Sequence, residues 1–462
     1  MDTNEELQSP IVYPKRRWIA RRKWVILSAL LLVASGMTYS VVAGNTVYHS
    51  TVWIVPGDIW GTFRSAQYVG WGDIGDIYSG GTGLVTFPGI AVLLAPVTIL
   101  AGSLGLTASV PPIVLVHPTA WLILGPAEMG AGTIVLFALD SLAEVMRLST
   151  ARRAVLSVLE AAALWPLLVI WGHPEDAIAV AFAVYALMEA LERRWRWCGW
   201  LFGFGVLFQP LVLLMLPVLL ATAPSRRWLK MIVQGAAPSL TLLAIPLIQS
   251  WKATSRSLFV QPNFPTIDHP TPWISLAPVL VPAHRQVTRS TGSVGWLGAG
   301  VQVHGDMITR TFTESVAAGP GRVLALVVCV AIGLWVYRAK PDPLGVVWWI
   351  AVSLSARCYF ESVMDPYYLW PPVALILLAV ASNRSWWRIG VTLAAISSAS
   401  VYSYRYTGPW EWWLPVVGLL STALALSKPT TRQRNDKLAE RATRLEAKLS
   451  RFRETQQVEA LR

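Results

Sequence analysis

Long apolar runs separated by short basic clusters dominate this chain. The first run, Trp24 to Gly44, is long enough to cross a bilayer and follows Lys15, Arg16, Arg17, Arg21, Arg22 and Lys23. A cleaved signal peptide has a shorter apolar stretch and a small-residue cleavage site, so the run reads as a retained first helix with a cytoplasmic N-terminus. Further runs lie at roughly 84–103, 111–146, 155–171, 176–191, 198–221, 231–248, 322–338, 344–358, 367–382, 386–403 and 411–427. Arg147/Arg152/Arg153, Arg193/Arg194/Arg196, Arg226/Arg227/Lys230, Arg338/Lys340 and Arg384/Arg388 mark the cytoplasmic face. Residues 198–221 have such clusters at both ends, so the chain enters and comes back, with Gln209-Pro210 as the break. Two half-helices of this kind must be shielded by protein or line a wet cavity. The same parity makes 111–146 two passes broken near Gly125-Pro126.

The pattern therefore predicts an all-α, polytopic transmembrane bundle of about 11–14 spans, some broken or re-entrant, with both termini inside. Residues 1–23 form a basic cytoplasmic N-terminus, 24–427 the membrane domain, and 428–462 a polar tail; the large outer loops are 45–83 and 249–321. In the tail, Leu438, Ala442, Leu445, Leu449 and Phe452 alternate at spacings of 4 and 3. That is a short coiled-coil seam for self-association or a partner, or an amphipathic basic helix near anionic headgroups.

Composition agrees. Of 462 residues, 54% are hydrophobic and 14% charged, against about a quarter charged in soluble proteins. The net charge of +12 would suggest nucleic acid in a soluble chain. Here the arginines flank apolar spans and set orientation, so nucleic acid is excluded as a partner. Cys198, Cys329 and Cys358 lie far apart in apolar stretches, with neither a disulfide framework nor a metal-ligand spacing. Thirty Arg against eight Lys, with abundant Ala and Val, point to a GC-rich bacterium and hence to a bacterial plasma membrane. No inverted hydropathy symmetry relates the halves, which favours outward-facing chemistry over transport.

Few residues remain to carry chemistry. In the first outer loop Asp58 lies among Trp53, Trp60 and Trp71, at the depth where aromatic belts sit. A carboxylate there can act on a hydroxyl presented at the membrane surface; alternatively it caps a short interfacial helix, and Asp73 and Asp76 serve Gly-rich turns.

An acidic residue soon after the first span, an Ala/Gly-rich interfacial stretch and a closing Tyr78 resemble the first loop of the GT-C superfamily of membrane glycosyltransferases. The closest likeness is to the polyprenyl-phosphate-mannose-dependent enzymes of glycosyltransferase family 87. Trp171-Gly-His-Pro-Glu-Asp176 is similar to that family's outer polar motif, and Gly199 through Gln209-Pro210 resembles its Gly-rich helix ending in a polar residue and Pro. The likeness spans most of residues 20–427. It departs at Thr86-Phe87-Pro88-Gly89, where members often carry Tyr-Pro-Pro, and at Gln209, where a basic residue is common. The resemblance implies transfer of a sugar, mannose in the family, from a polyprenyl-phosphate donor to a lipid-linked or cell-envelope glycan. Asp58 would be the general base, cationic groups would stabilise the departing phosphate, and no metal or cofactor is implied. Glu175, Asp176, Asp73, Asp76 and Tyr367 would support the site.

For the phosphate, the long outer loop offers His269, His284, Arg285 and Arg289, near a Pro-rich piece from Pro262 to Pro278 that cannot form a regular helix. Outer-leaflet snorkelling or loop salt bridges would explain the same residues. His269, His284 and His304 lack a tight metal-ligand spacing. Arg357 and Glu361 share a helix face at i,i+4, either as a buried pair orienting the site or as an interfacial ion pair. The competing functions are a transporter or flippase of a lipid-linked sugar, and a non-catalytic membrane scaffold.

Overall fold

The computed structural model describes residues 18–48, 53–56, 58–79, 84–106, 114–115, 120–265, 268–281, 284–288, 295–296, 299–300, 308–312, 315–383, 385–405 and 408–429. The tail seam from Leu438 to Phe452, Arg289 and His304 lie outside them. The described residues form a helical bundle: α1 (Trp18–Tyr48), α2 (Ile59–Trp71), α3 (Gly89–Ser103), α4 (Trp121–Gly132), α5 (Ile134–Val145), α6 (Thr150–Trp165), α7 (Pro174–Leu191) and α8 (Trp195–Phe208). There follow α9 (Leu216–Thr222), α10 (Ser225–Gln249), α11 (Trp251–Ser255), α12 (Gly321–Ala339), α13 (Pro343–Phe360), α14 (Trp370–Ala381), α15 (Trp386–Tyr402) and α16 (Pro409–Ser427). Several starts are written in the sequence. Pro174, Pro343 and Pro409 occupy first helical positions, where no amide hydrogen is missed. Asp342 caps α13 by accepting from the Gly345 amide at 2.9 Å.

Among the described residues six stretches are long and apolar enough to cross a membrane: Ile19–Ala43, Trp121–Val145, Thr150–Trp171, Ser225–Gln249, Gly321–Ala339 and Pro343–Phe360. Their outward faces are apolar: Leu30, Leu31, Val155, Val158, Leu240 and Val327 are all exposed. Such a surface fits lipid, and exposed tryptophans mark both ends: Trp71, Trp251 and Trp410 at one, Trp24, Trp197, Trp386 and Trp387 at the other. Helices α7 and α14 are buried on nearly all sides and form the bundle's interior.

Two predicted spans are corrected. Within the run 111–146, Trp121–Val145 makes a single pass: Pro126 sits inside α4, and the interruption falls at Thr133, between α4 and α5. Neighbouring helices make a proline tolerable at membrane depth, so Gly125-Pro126 does not reverse the chain. The run 84–103 is the 15-residue α3, about 22 Å long and short of a crossing. Both its flanks belong to one end of the bundle: Tyr78 donates to the Thr86 carbonyl at 2.8 Å before it, and Val114–Leu115 after it pairs with Trp53–Ile54. The turn at Gln209-Pro210 lies where expected. There α8 gives way to a 3₁₀ turn, Pro210–Met215, which continues into α9.

At the Arg22 end, α1, α5 and α6 are tied by buried charge. Asp140 accepts a bidentate bond from Arg153, 2.7 Å on each side, and a further bond from Arg22, whose other nitrogen reaches Glu144 at 2.8 Å. The Asp58 end lies across the bundle, about 27 Å away along the 18 residues of α7.

Candidate functional site

Asp58 occupies the N-cap position of α2, yet its side chain makes no capping bond. Instead its Oδ2 meets His173 Nε2 at 3.0 Å, and His173 Nδ1 meets Glu175 Oε1 at 2.7 Å. The Asp58 side chain is 54% exposed, against 8% for His173 and 3% for Glu175. An accessible carboxylate is thus oriented by a buried imidazole, itself oriented by a buried carboxylate. The helix dipole of α2 favours negative charge at Asp58.

Local chain geometry makes this contact. After α6 the helix widens into a π-turn, Pro166–Trp171, and Gly172 reverses it at φ 74°. A Cβ on Gly172 would stand 2.7 Å from Pro56 and 2.9 Å from Ile59, so only glycine lets the His173 loop reach the start of α2. Tyr367 stacks on the imidazole with centroids 4.1 Å apart, and Trp171 packs against Tyr367 at 5.4 Å. Burial of the ring disfavours its charge, but Glu175 first, and then Asp58, more than offset this and hold His173 protonated well above its ordinary value.

A second wall comes from the long outer loop. His269–Pro270 pairs antiparallel with Val363–Met364, and this two-residue ladder places Asp268 beside Asp365. The two carboxyls are hydrogen-bonded to each other, and the Phe264 amide donates to Asp268 Oδ2 at 3.4 Å. Burial raises both acids, Asp268 to about 6 and Asp365 well above its ordinary range, where the neighbouring Asp268 and Asp58 carboxylates add to the effect. Such a pair holds one proton between two oxygens. Next to it Thr271 Oγ1 donates to the Glu361 carbonyl at 2.6 Å.

The cationic part centres on Glu361. Arg322 Nε donates to it at 2.8 Å and Arg357 Nε lies 3.5 Å away, while the Arg357 guanidinium covers the Tyr368 ring at 3.3 Å. The predicted Arg357–Glu361 pair is present and buried, but Glu361 belongs to extended chain just after α13, and its tighter partner is Arg322. Arg357 lies within electrostatic reach of Asp176 and Tyr367. Asp176 in turn accepts from Gln209 Nε2 at 2.7 Å, joining the start of α7 to the turn before Pro210.

Of the sequence candidates, Asp58, Glu175 and Tyr367 meet directly through His173, and Asp176, Arg357 and Glu361 lie beside them. His269 does not join as a cation. Its ring is buried, stacks on Trp412 at 4.6 Å, and burial lowers its pKa to about 4, so it is neutral where a phosphate would need charge. Asp76 accepts from Ser79 and Ser250, a turn role, and Asp73 makes no capping bond. His284 and Arg285 are on a strand, His284–Thr288, paired with Ile308–Phe312. His173, Asp268, Asp365 and Arg322 were not singled out from sequence. Only His173 carried a signal, as the histidine two residues before a carboxylate at a helix start. Among the described residues no group of three or more His, Cys, Asp or Glu is arranged to hold a metal ion. No family model matches the chain, and no curated protein or solved structure is significantly similar to it.

Proposed function

We propose that this chain is a membrane-embedded glycosyltransferase of GT-C type. It moves a sugar, mannose by the family resemblance, from polyprenyl phosphate to a hydroxyl of a lipid-linked or cell-envelope glycan. The site faces outward from a bacterial plasma membrane, and the basic Arg22 end with both termini faces the cytoplasm. The observation carrying this reading is the exposed Asp58 carboxylate held by the His173–Glu175 couple.

Asp58 accepts the acceptor hydroxyl's proton as that oxygen bonds to the anomeric carbon. The bond from that carbon to the phosphate oxygen breaks, and its electron pair leaves with the lipid phosphate. Arg357, with Arg322 sharing Glu361, supplies the positive charge near the leaving group. His173 fixes the direction of the Asp58 lone pairs, as an orienting partner does in proton-transfer sites. The test supplies purified protein with polyprenyl-phosphate-mannose and candidate glycolipid acceptors. Asp58→Asn should lower turnover by roughly 10²–10⁴; near-wild-type turnover in that variant would remove Asp58 from the mechanism.

A second reading has its own observation. Glu128 and Glu160 are buried within membrane-length helices with all carboxyl oxygens lacking hydrogen-bond partners. Intramembrane carboxyls of this kind serve proton-coupled transport. Proton flux in liposomes that depends on a polyprenyl-phosphate sugar would favour a flippase and count against glycosyl transfer.

A further inference from the structure

At the Arg22 end, far from Asp58, a notch of about 220 Å³ opens between the first turns of α8 and α10. Arg193, Arg196, Arg227, Lys230, Trp197 and Gln234 line it. Arg194 at its edge is already paired with Glu189 at 2.6 Å and Glu192. The other four cations are exposed and have no acidic partner among the described residues. Four uncompensated charges converge on one concavity, which draws anions to it.

A further observation defines the anion. Beside Lys230 on the same helix, Leu229, Ile232 and Val233 are exposed and apolar, so the notch opens onto a surface that acyl chains can follow. Trp197, 59% exposed at the rim, fits the headgroup depth. The chain's own tail does not fit the notch: from Lys428 to Arg462 it carries ten basic and five acidic residues, the same sign as the lining.

We propose that this notch is a binding site for an anionic phospholipid. Arg193, Arg196, Arg227 and Lys230 hold the phosphate. Basic pockets between membrane helices on the cytoplasmic side are suited to this chemistry.

The experiment uses the purified full chain in neutral detergent, titrated with dioleoyl phosphatidylglycerol, dioleoyl phosphatidylcholine or inorganic phosphate. Bound lipid is counted by native mass spectrometry and protection is read by thermal unfolding. Phosphatidylglycerol should bind and protect; phosphatidylcholine and phosphate should not. The triple variant Arg196→Ala/Arg227→Ala/Lys230→Ala should lose affinity by about a hundredfold, at roughly 1 kcal/mol per cation. Arg338→Ala/Lys340→Ala, which removes charge elsewhere at the same end, should keep it. Lys230→Ala alone should weaken binding about fivefold and serves if the triple variant does not fold. Equal phosphatidylglycerol binding by wild type and these notch variants would overturn the site. Equal protection by inorganic phosphate would overturn the lipid as its occupant, and equal protection by phosphatidylcholine would overturn the anion requirement.

Discussion

The Asp268–Asp365 pair makes stability depend on pH in an unusual direction. Asp268 keeps its proton until about pH 6, and Asp365 too is held well above its ordinary range, whereas an unfolded Asp releases its proton near 3.8. Between those values the folded state binds more protons, so the stability of the native protein falls as pH rises. For Asp268 alone the gap of about two pH units, at 1.36 kcal/mol each, gives about 3 kcal/mol, to which the raised Asp365 adds. Asp58 and His173 also face this pair. His173, whose own value is raised well above 6.5, adds no slope below about pH 6; above that the unfolded imidazole loses its proton while the folded one keeps it, a fall common to wild type and variant. In Asp365→Asn the amide can donate to Asp268 in place of the shared proton, and the repulsion is gone. Denaturant unfolding of detergent-solubilised protein at pH 4, 5, 6 and 7 provides the measurement. Relative to wild type, the variant should gain about 3 kcal/mol or more between pH 4 and 7. Other carboxylates contribute equally to both curves, so the difference between them isolates the pair. Parallel curves would refute the shared proton.

Three further outcomes follow from geometry already described. Asp140→Ala takes from the buried Arg22 and Arg153 the carboxylate they share and leaves Glu144 beside both; it should cost about 3 kcal/mol in chemical unfolding, at the low end for a broken buried pair. Gly172→Ala meets both the left-handed φ of 74° and the Pro56 and Ile59 side chains; it should destabilise by at least about 1 kcal/mol and separate His173 from Asp58, seen as loss of transfer activity. His173→Gln should reduce activity less than Asp58→Asn, since the carboxylate remains while its orientation is relaxed; equal losses would make His173 a direct participant.

The membrane class and the overall run of helices were legible because apolar length and flanking arginine are local properties of the chain. Reversals were harder. Gln209-Pro210 turns the chain, where Pro210 follows an extended residue at φ −149°. Pro126 does not, because neighbouring helices support α4 around it. For Asp58, capping and catalysis predict the same position, and only a partner 115 residues away in sequence separates them. At Asp268-His269, neighbours on a strand point to opposite sides. Choosing the member that faces the site needs the register with Val363–Met364, which is a long-range fact. Arg22 and Arg153 were read as orientation marks; the structure buries them against Asp140, a use that flanking position alone does not reveal.

The ladder between His269–Pro270 and Val363–Met364 has a meaning for biosynthesis. Asp58 leaves the ribosome with the first helix and His173 soon after, but Asp365 and Tyr367 arrive only after α13 has been made. A nascent chain carrying the exposed Asp58 carboxylate therefore lacks the acid pair, Arg357 and the ring that stacks on His173. Assembly of the site waits for the last third of translation, so a chain stopped before α13 should lack the proposed activity toward lipid-linked sugars.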